Sequence, residues 1–221
     1  MRQAALLAAL QLGDSAFPSG AYTQSHGLET LVAERQVVSA ADVEAVLAAH
    51  LEHRLARADL PALLAGHRAA AAGDAVSLAR IDDALTAVTL TREQRQASSR
   101  VGARLVAEAA RLAPHPILAA CRPSNAAVGF ALAGFALGLD GPESASTYAY
   151  SFASALVSAS LRLLRIGHGE AQAVLRRSHP LIERAVTEAG TVPWDRLCPF
   201  APGLDLASAR HERLPARLFA S

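Results

Sequence analysis

The chain is 221 residues long, 52% hydrophobic and 19% charged, with a formal charge of +1; that balance suits one folded domain and excludes a disordered chain. The near-neutral charge lacks the basic excess expected of a nucleic-acid binder. Fifty-one residues are Ala and none is Lys, so a P-loop lysine, a Schiff base and a lysine general base are all excluded.

Residues 2–12 predict a short apolar helix, too short and too poor in cleavage signals for a secretory leader. Gly13-Asp14-Ser15 and Phe17-Pro18-Ser19-Gly20 form a turn-rich loop. A second helix is expected over 23–36, with Leu28, Leu31 and Val32 as its apolar stripe. Ser39 opens a third, with Asp42 completing a variant capping box and Val43, Val46, Leu47 and Leu51 facing inward. Pro61 in Asp59-Leu60-Pro61 restarts or kinks the chain, and the helix it begins ends near Gly73. Asp74 caps the next, which buries Val76, Leu78, Ile81, Leu85 and Val88. Thr91 with Gln94 starts another, running to Leu112, and Pro114-His115-Pro116 interrupts it. Ser124 caps an apolar helix over 126–139, buried on most sides and shorter than the ~20 residues of a membrane span. Gly141-Pro142 breaks that helix, and a long one follows over 143–166. Gly167-His168-Gly169 breaks or bends the chain before a last helix to Thr187.

No stretch alternates like a strand. The expectation is therefore an all-α, single-domain helical bundle of about eight to ten helices, with a helical domain over 1–189. Residues 190–221 carry Pro193, Pro199, Pro202 and Pro215 and little helical periodicity. They read as a Pro-rich tail that is disordered or docks on a partner.

Catalytic patterns are scarce. Ser25 and His26 are adjacent, so on a helix they diverge by about 100° and do not pair as nucleophile and base. Asp82-Asp83 reads as a solvated helix surface, and His115 and His179, each beside proline, as loop residues. Cys121 and Cys198 form no CxxC pair, which argues against a disulfide scaffold or a Cys-rich zinc site. His50 and His53 lie i, i+3 on one helix. They read as a solvated pair or as the start of a metal site, and Arg54 and Arg57 beside them oppose a cation. The polar run from Arg92 to Arg100 is a solvated face or a contact face. Arg162 and Arg165 follow an Ala/Ser-rich stretch and either snorkel to water or meet an anionic partner.

Two segments are more specific. Phe17-Pro18-Ser19-Gly20-Ala21-Tyr22-Thr23-Gln24-Ser25-His26-Gly27-Leu28-Glu29 resembles the N-terminal signature of the UreF family of urease accessory proteins. Pro202-Gly203-Leu204-Asp205-Leu206-Ala207-Ser208-Ala209-Arg210-His211-Glu212, with Arg217-Leu218-Phe219-Ala220-Ser221, resembles its C-terminal signature. Asp59-Leu60-Pro61, the 92–102 and 161–172 segments and Gly129-Phe130-Ala131-Leu132-Ala133 match weaker blocks in the same order. Ser19, His168 and Ala209 depart from the common pattern.

The resemblance implies a non-enzymatic helical scaffold that forms a homodimer; with neither a leader nor a membrane span read in it the chain is expected to be cytoplasmic, and no cofactor or metal of its own is expected. It implies binding to UreD (also called UreH) and to the GTPase UreG, delivery of nickel to apo-urease, and modulation of GTP hydrolysis by UreG. The implied partner-binding residues are Tyr22, Ser25, Gly27, Leu28, Glu29, Arg162, Arg210, His211, Glu212, Arg217 and Phe219. The tail is implied to become ordered on UreD. The alternative reading is a helical metal-binding protein or enzyme using His50 and His53.

Overall fold

A computed structural model describes residues 3–220. Among these residues the chain is all helix, with no strand. Helices α3 (Ala40–Ala49) and α4 (Leu60–Ala71) are joined without a break by a π-wound stretch, His50–Asp59. The others are α1 (Gln3–Gly13), α2 (Leu28–Ala33), α5 (Ala75–Val88), α6 (Arg92–Leu112), α7 (Pro116–Ala120), α8 (Ala126–Ala136), α9 (Gly141–Leu163), α10 (His168–Ala189) and α11 (Pro202–His211). Counting the joined pair once gives ten rods among the described residues. None is long and apolar enough to cross a membrane.

Local capping chemistry sets most starts. Ser39 and Asp42 form the expected reciprocal box, and the Asp74 and Thr91 side chains accept from the Ser77 and Gln94 amides at 2.9 and 3.3 Å. Asp140 and Glu143 form a second box, so Gly141 and Pro142 open α9 rather than only ending α8.

Several sequence expectations are corrected. The helix expected over 23–36 forms only from Leu28, because His26 (φ 52°) and Gly27 (φ 85°) are left-handed and cannot sit inside a right-handed helix. Pro61 does not restart the chain. It lacks the N–H that the Arg57 carbonyl would need in an α-helix, and that carbonyl accepts from Cys198 N–H at 3.2 Å instead. Asn125, not Ser124, occupies the N-cap of α8, and Asp82 receives the Ser124 N–H at 2.6 Å and the Asn125 amide at 3.1 Å. Asp82 is thus buried rather than solvated, and burial raises its carboxyl above the usual range. Val76 is exposed on α5. His179 lies within α10, accepting from Arg176 at 2.9 Å.

The core is built around α8, whose residues from Ala127 to Gly134 are all buried. Helices α4, α6 and α9 surround it. The α6–α8 crossing depends on two glycines. A Cβ on Gly129 would lie 2.6 Å from the Gly102 Cα, and one on Gly102 would lie 2.5 Å from the Asn125 carbonyl. Helix α10 covers α9 and the π-wound stretch, with Arg177 bound to Glu44 at 2.7 Å and Arg184 to Glu52.

The segment after α10 folds back over the body. Phe200 N–H donates to the His53 carbonyl at 3.1 Å, and α11 then packs on α2 and α6. Leu204, Ala207, Ser208 and His211 are its buried positions. Their spacing is helical, but two of the four are polar, so an apolar stripe was not visible in the sequence.

Candidate functional site

The two terminal motifs meet at one place on the surface. The loop between α1 and α2 is shaped by left-handed Gly20, His26 and Gly27. Gly27 is also a point of close approach: a Cβ there would lie 3.3 Å from the Ala207 Cβ and 3.4 Å from the Ser208 amide nitrogen. That absence of a side chain lets α11 rest on the loop. Beyond α11 the chain turns, and Ala220 N–H donates to the Thr23 carbonyl at 2.8 Å.

Two carboxylates hold this junction. His211 is fully buried, its Nδ1 lying 2.9 Å from Glu93 Oε2 on α6 and its Nε2 2.8 Å from Glu29 Oε2 on α2. Both ring nitrogens thus lie within hydrogen-bond distance of a carboxyl oxygen. Glu29 also accepts the Leu218 and Phe219 amides at 2.7 and 3.2 Å, and Glu93 accepts Arg217 at 3.3 Å. Thr91 and Ser208 hydroxyls meet at 3.1 Å beside them. At the rim, Arg92 pairs with Glu212 at 2.7 Å and Arg210 with Glu34 at 3.3 Å.

Arg162, in the last turn of α9, reaches the same place. Its guanidinium carbon lies 4.1 Å from the Phe219 ring centroid and 4.8 Å from that of Tyr22, and Nη2 donates to the Tyr22 carbonyl at 3.3 Å. These are cation–π distances. Phe219 is buried, whereas Tyr22 and Leu218 are 41% and 69% exposed.

The residues implied by the sequence resemblance are therefore brought together. Tyr22, Glu29, Arg162, His211, Arg217 and Phe219 form one network. Ser25, Gly27 and Leu28 are buried in its floor, and Arg210 and Glu212 pin its rim. Leu28, Glu29, His211 and Phe219 are buried against the chain itself, and the exposed residues at this place are Tyr22, Arg162, Arg210, Glu212, Arg217 and Leu218. Glu93 was missed. It sits in a charged run whose partners are 118 and 124 residues away, and only acidic character in a first helical turn marked it.

His50 and His53 are not brought together. The π winding buries His50 and leaves His53 exposed. His50 Nε2 donates to the His26 carbonyl at 3.1 Å, and the rings of His26 and His50 pack on Phe152. Burial, with Arg54 nearby, pushes His26 down to about 3, and burial with His26 and Arg54 holds His50 well below 6.5. Tyr148 donates to Asp59 at 3.3 Å, and burial raises its hydroxyl well above 10. Among the described residues, no group of three His, Cys, Asp or Glu is placed to hold a metal ion.

The chain is similar to known proteins over nearly its whole length. The family model UreF matches residues 37–179. The urease accessory protein UreF of Cereibacter sphaeroides is 36% identical over 218 residues, covering 97% of this chain and 98% of its own. That of Chromohalobacter salexigens is 35% identical, with 98% and 95% covered. That of a Bacillus species is 29% identical, with 98% and 99% covered. The family model omits both terminal motifs, whereas these alignments reach into them.

Proposed function

This chain belongs to the UreF family of urease accessory proteins, which are not enzymes, and on that premise we propose that it bridges UreD/UreH and the GTPase UreG in the cytoplasm while nickel is delivered to apo-urease. In this reading the chain works as a homodimer and modulates GTP hydrolysis by UreG. The supporting observation is the junction itself. Buried Glu29 and Glu93 fix the tail, and the fixed tail sets Phe219 under Arg162 beside exposed Tyr22 and Leu218. A planar guanidinium held at the surface suits carboxylates of a partner. An aromatic and an apolar neighbour suit the centre of an interface.

Residues 1–189 are proposed as the scaffold and 190–221 as the element that partner binding secures. The test is co-purification with tagged UreD and with UreG. The full chain is expected to be captured with both. A chain lacking residues 203–221 is expected to stay helical by circular dichroism and to lose UreD. Capture of the shortened chain with unchanged affinity contradicts the role given to the tail.

A further inference from the structure

The tail enters its site through a strap, Cys198-Pro199-Phe200, laid across the π-wound stretch. The strap is held by its main chain. Cys198 N–H donates to the Arg57 carbonyl at 3.2 Å, and Phe200 N–H to the His53 carbonyl at 3.1 Å. Its side chains add little, since Cys198 is exposed and Phe200 is 76% exposed. Before the strap, side chains anchor the chain instead: Arg80 lies over the Trp194 ring at 5.6 Å, and Trp194 and Leu197 pack on the core. After it, Ala201 begins α11, its carbonyl accepting the Leu204 and Asp205 N–H groups at 2.9 and 3.0 Å.

The two backbones match in spacing. In an extended chain, amides two residues apart point the same way and lie about 6.5–7 Å apart. Carbonyls four residues apart on a helix share a side and lie about 6 Å apart. Pro199 falls at the intervening position, where a missing N–H costs the seat nothing, and it biases Cys198 towards an extended backbone. A helix carbonyl is ordinarily closed to such a guest, because it accepts the N–H four residues on. Here Pro61 withholds that N–H from the Arg57 carbonyl. The π winding shifts the adjoining bonds by one residue, as in Leu60 N–H to the Leu55 carbonyl.

We propose that Pro61 and the π-wound stretch form a main-chain seat for the strap, and that the strap is a latch for the entry end of the tail, opening without unfolding the helical body. Two hydrogen bonds at an exposed place, with little apolar burial, mark a unit that opens locally. The exit end is fastened separately, by Glu29 on the Leu218 and Phe219 amides and on His211. Opening the strap therefore frees the first turn of α11 while the exit end stays closed. This division belongs to the chain alone, whichever partner the tail meets.

The test is amide hydrogen exchange on the full chain and three variants, with urea unfolding alongside. Pro61→Ala gives the helix an N–H that competes with Cys198 for the Arg57 carbonyl. The Cys198 and Phe200 amides are expected to exchange at least tenfold faster, followed by Leu204 and Asp205, while Leu218 and Phe219 stay within about twofold. The urea midpoint is expected to be no lower, because Ala suits a helix better than Pro; a merely structural role for Pro61 would lower it. Phe200→Pro removes the other donor and is expected to give the same loss at Cys198. Phe200→Ala keeps the N–H and is expected to leave Cys198 within about twofold. If Pro61→Ala does not fold, Phe200→Pro, at an exposed position, carries the test. Protection of Cys198 retained in either folded variant overturns the seat. Equal losses in Phe200→Ala and Phe200→Pro assign the hold to the side chain and overturn it too. Loss that spreads to the amides from Ala127 to Ala133 overturns the separate latch.

Discussion

The α8 core and the terminal junction are held by opposite means. Around α8 the contacts are apolar and small, and α6 reaches α8 because Gly102 and Gly129 present no side chain. The junction is small and ionic: one buried imidazole between two carboxylates, two backbone amides on Glu29 and an arginine over two rings. Close packing is non-directional and spread over many atoms. Charge-assisted hydrogen bonds are directional and concentrated in few groups. The core therefore sets whether the chain folds, and the junction sets whether the tail is in place on a body already folded.

The sharpest break of this contrast is Gly129→Ala. The new Cβ meets Gly102 backbone rather than a flexible side chain, and overpacking of that kind costs about 3 kcal/mol. Urea unfolding is expected to show that loss in one cooperative transition, with the tail unfolding along with the body. A second effect comes from acid. His26 and His50 have folded values depressed below 6.5. Below that value the unfolded chain takes up protons that the folded chain does not. Stability is thus fully present above about pH 6.5 and falls as the pH is lowered towards 3, with a slope approaching about 1.4 kcal/mol per pH unit for each histidine. Urea midpoints at pH 7 and pH 5 measure it. His26→Asn, which tolerates the left-handed backbone, is expected to flatten the slope.

His211→Ala acts on the other region. Leaving two buried carboxyl groups without their imidazole partner is unfavourable while they stay buried. Release of the tail returns both to water, and this limits the global loss to about 1–2 kcal/mol. Smallest in stability is Arg162→Ala. It is expected to leave the unfolding midpoint unchanged and to keep UreD, while weakening UreG capture; Arg162→Lys keeps much of that capture. Full retention of UreG by Arg162→Ala removes the residue from the contact surface.

The two regions also differed in how far the sequence revealed them. Core helices were legible where a cap and a period coincide, as at Ser39–Asp42, Asp74 and Thr91. They were misread where a tertiary partner overrides local pattern. Asp82 looked solvated because its partners, Ser124 and Asn125, lie 42 and 43 residues away. Pro61 looked like a restart because a π-wound approach leaves no apolar signature. At the junction, the motif residues were visible by resemblance, but their pairing was not. Nothing local links His211 to Glu93 and Glu29, 118 and 182 residues distant.

The claim that both terminal motifs form one platform, separable from the core, is tested most directly by amide hydrogen exchange on the full chain and on His211→Ala. In the variant, the amides of Leu218, Phe219 and Ala220 and those of α2 are expected to lose protection together, by at least tenfold, while those from Ala127 to Ala133 keep theirs. Tail protection that survives the substitution, or tail opening that leaves α2 as protected as before, contradicts it.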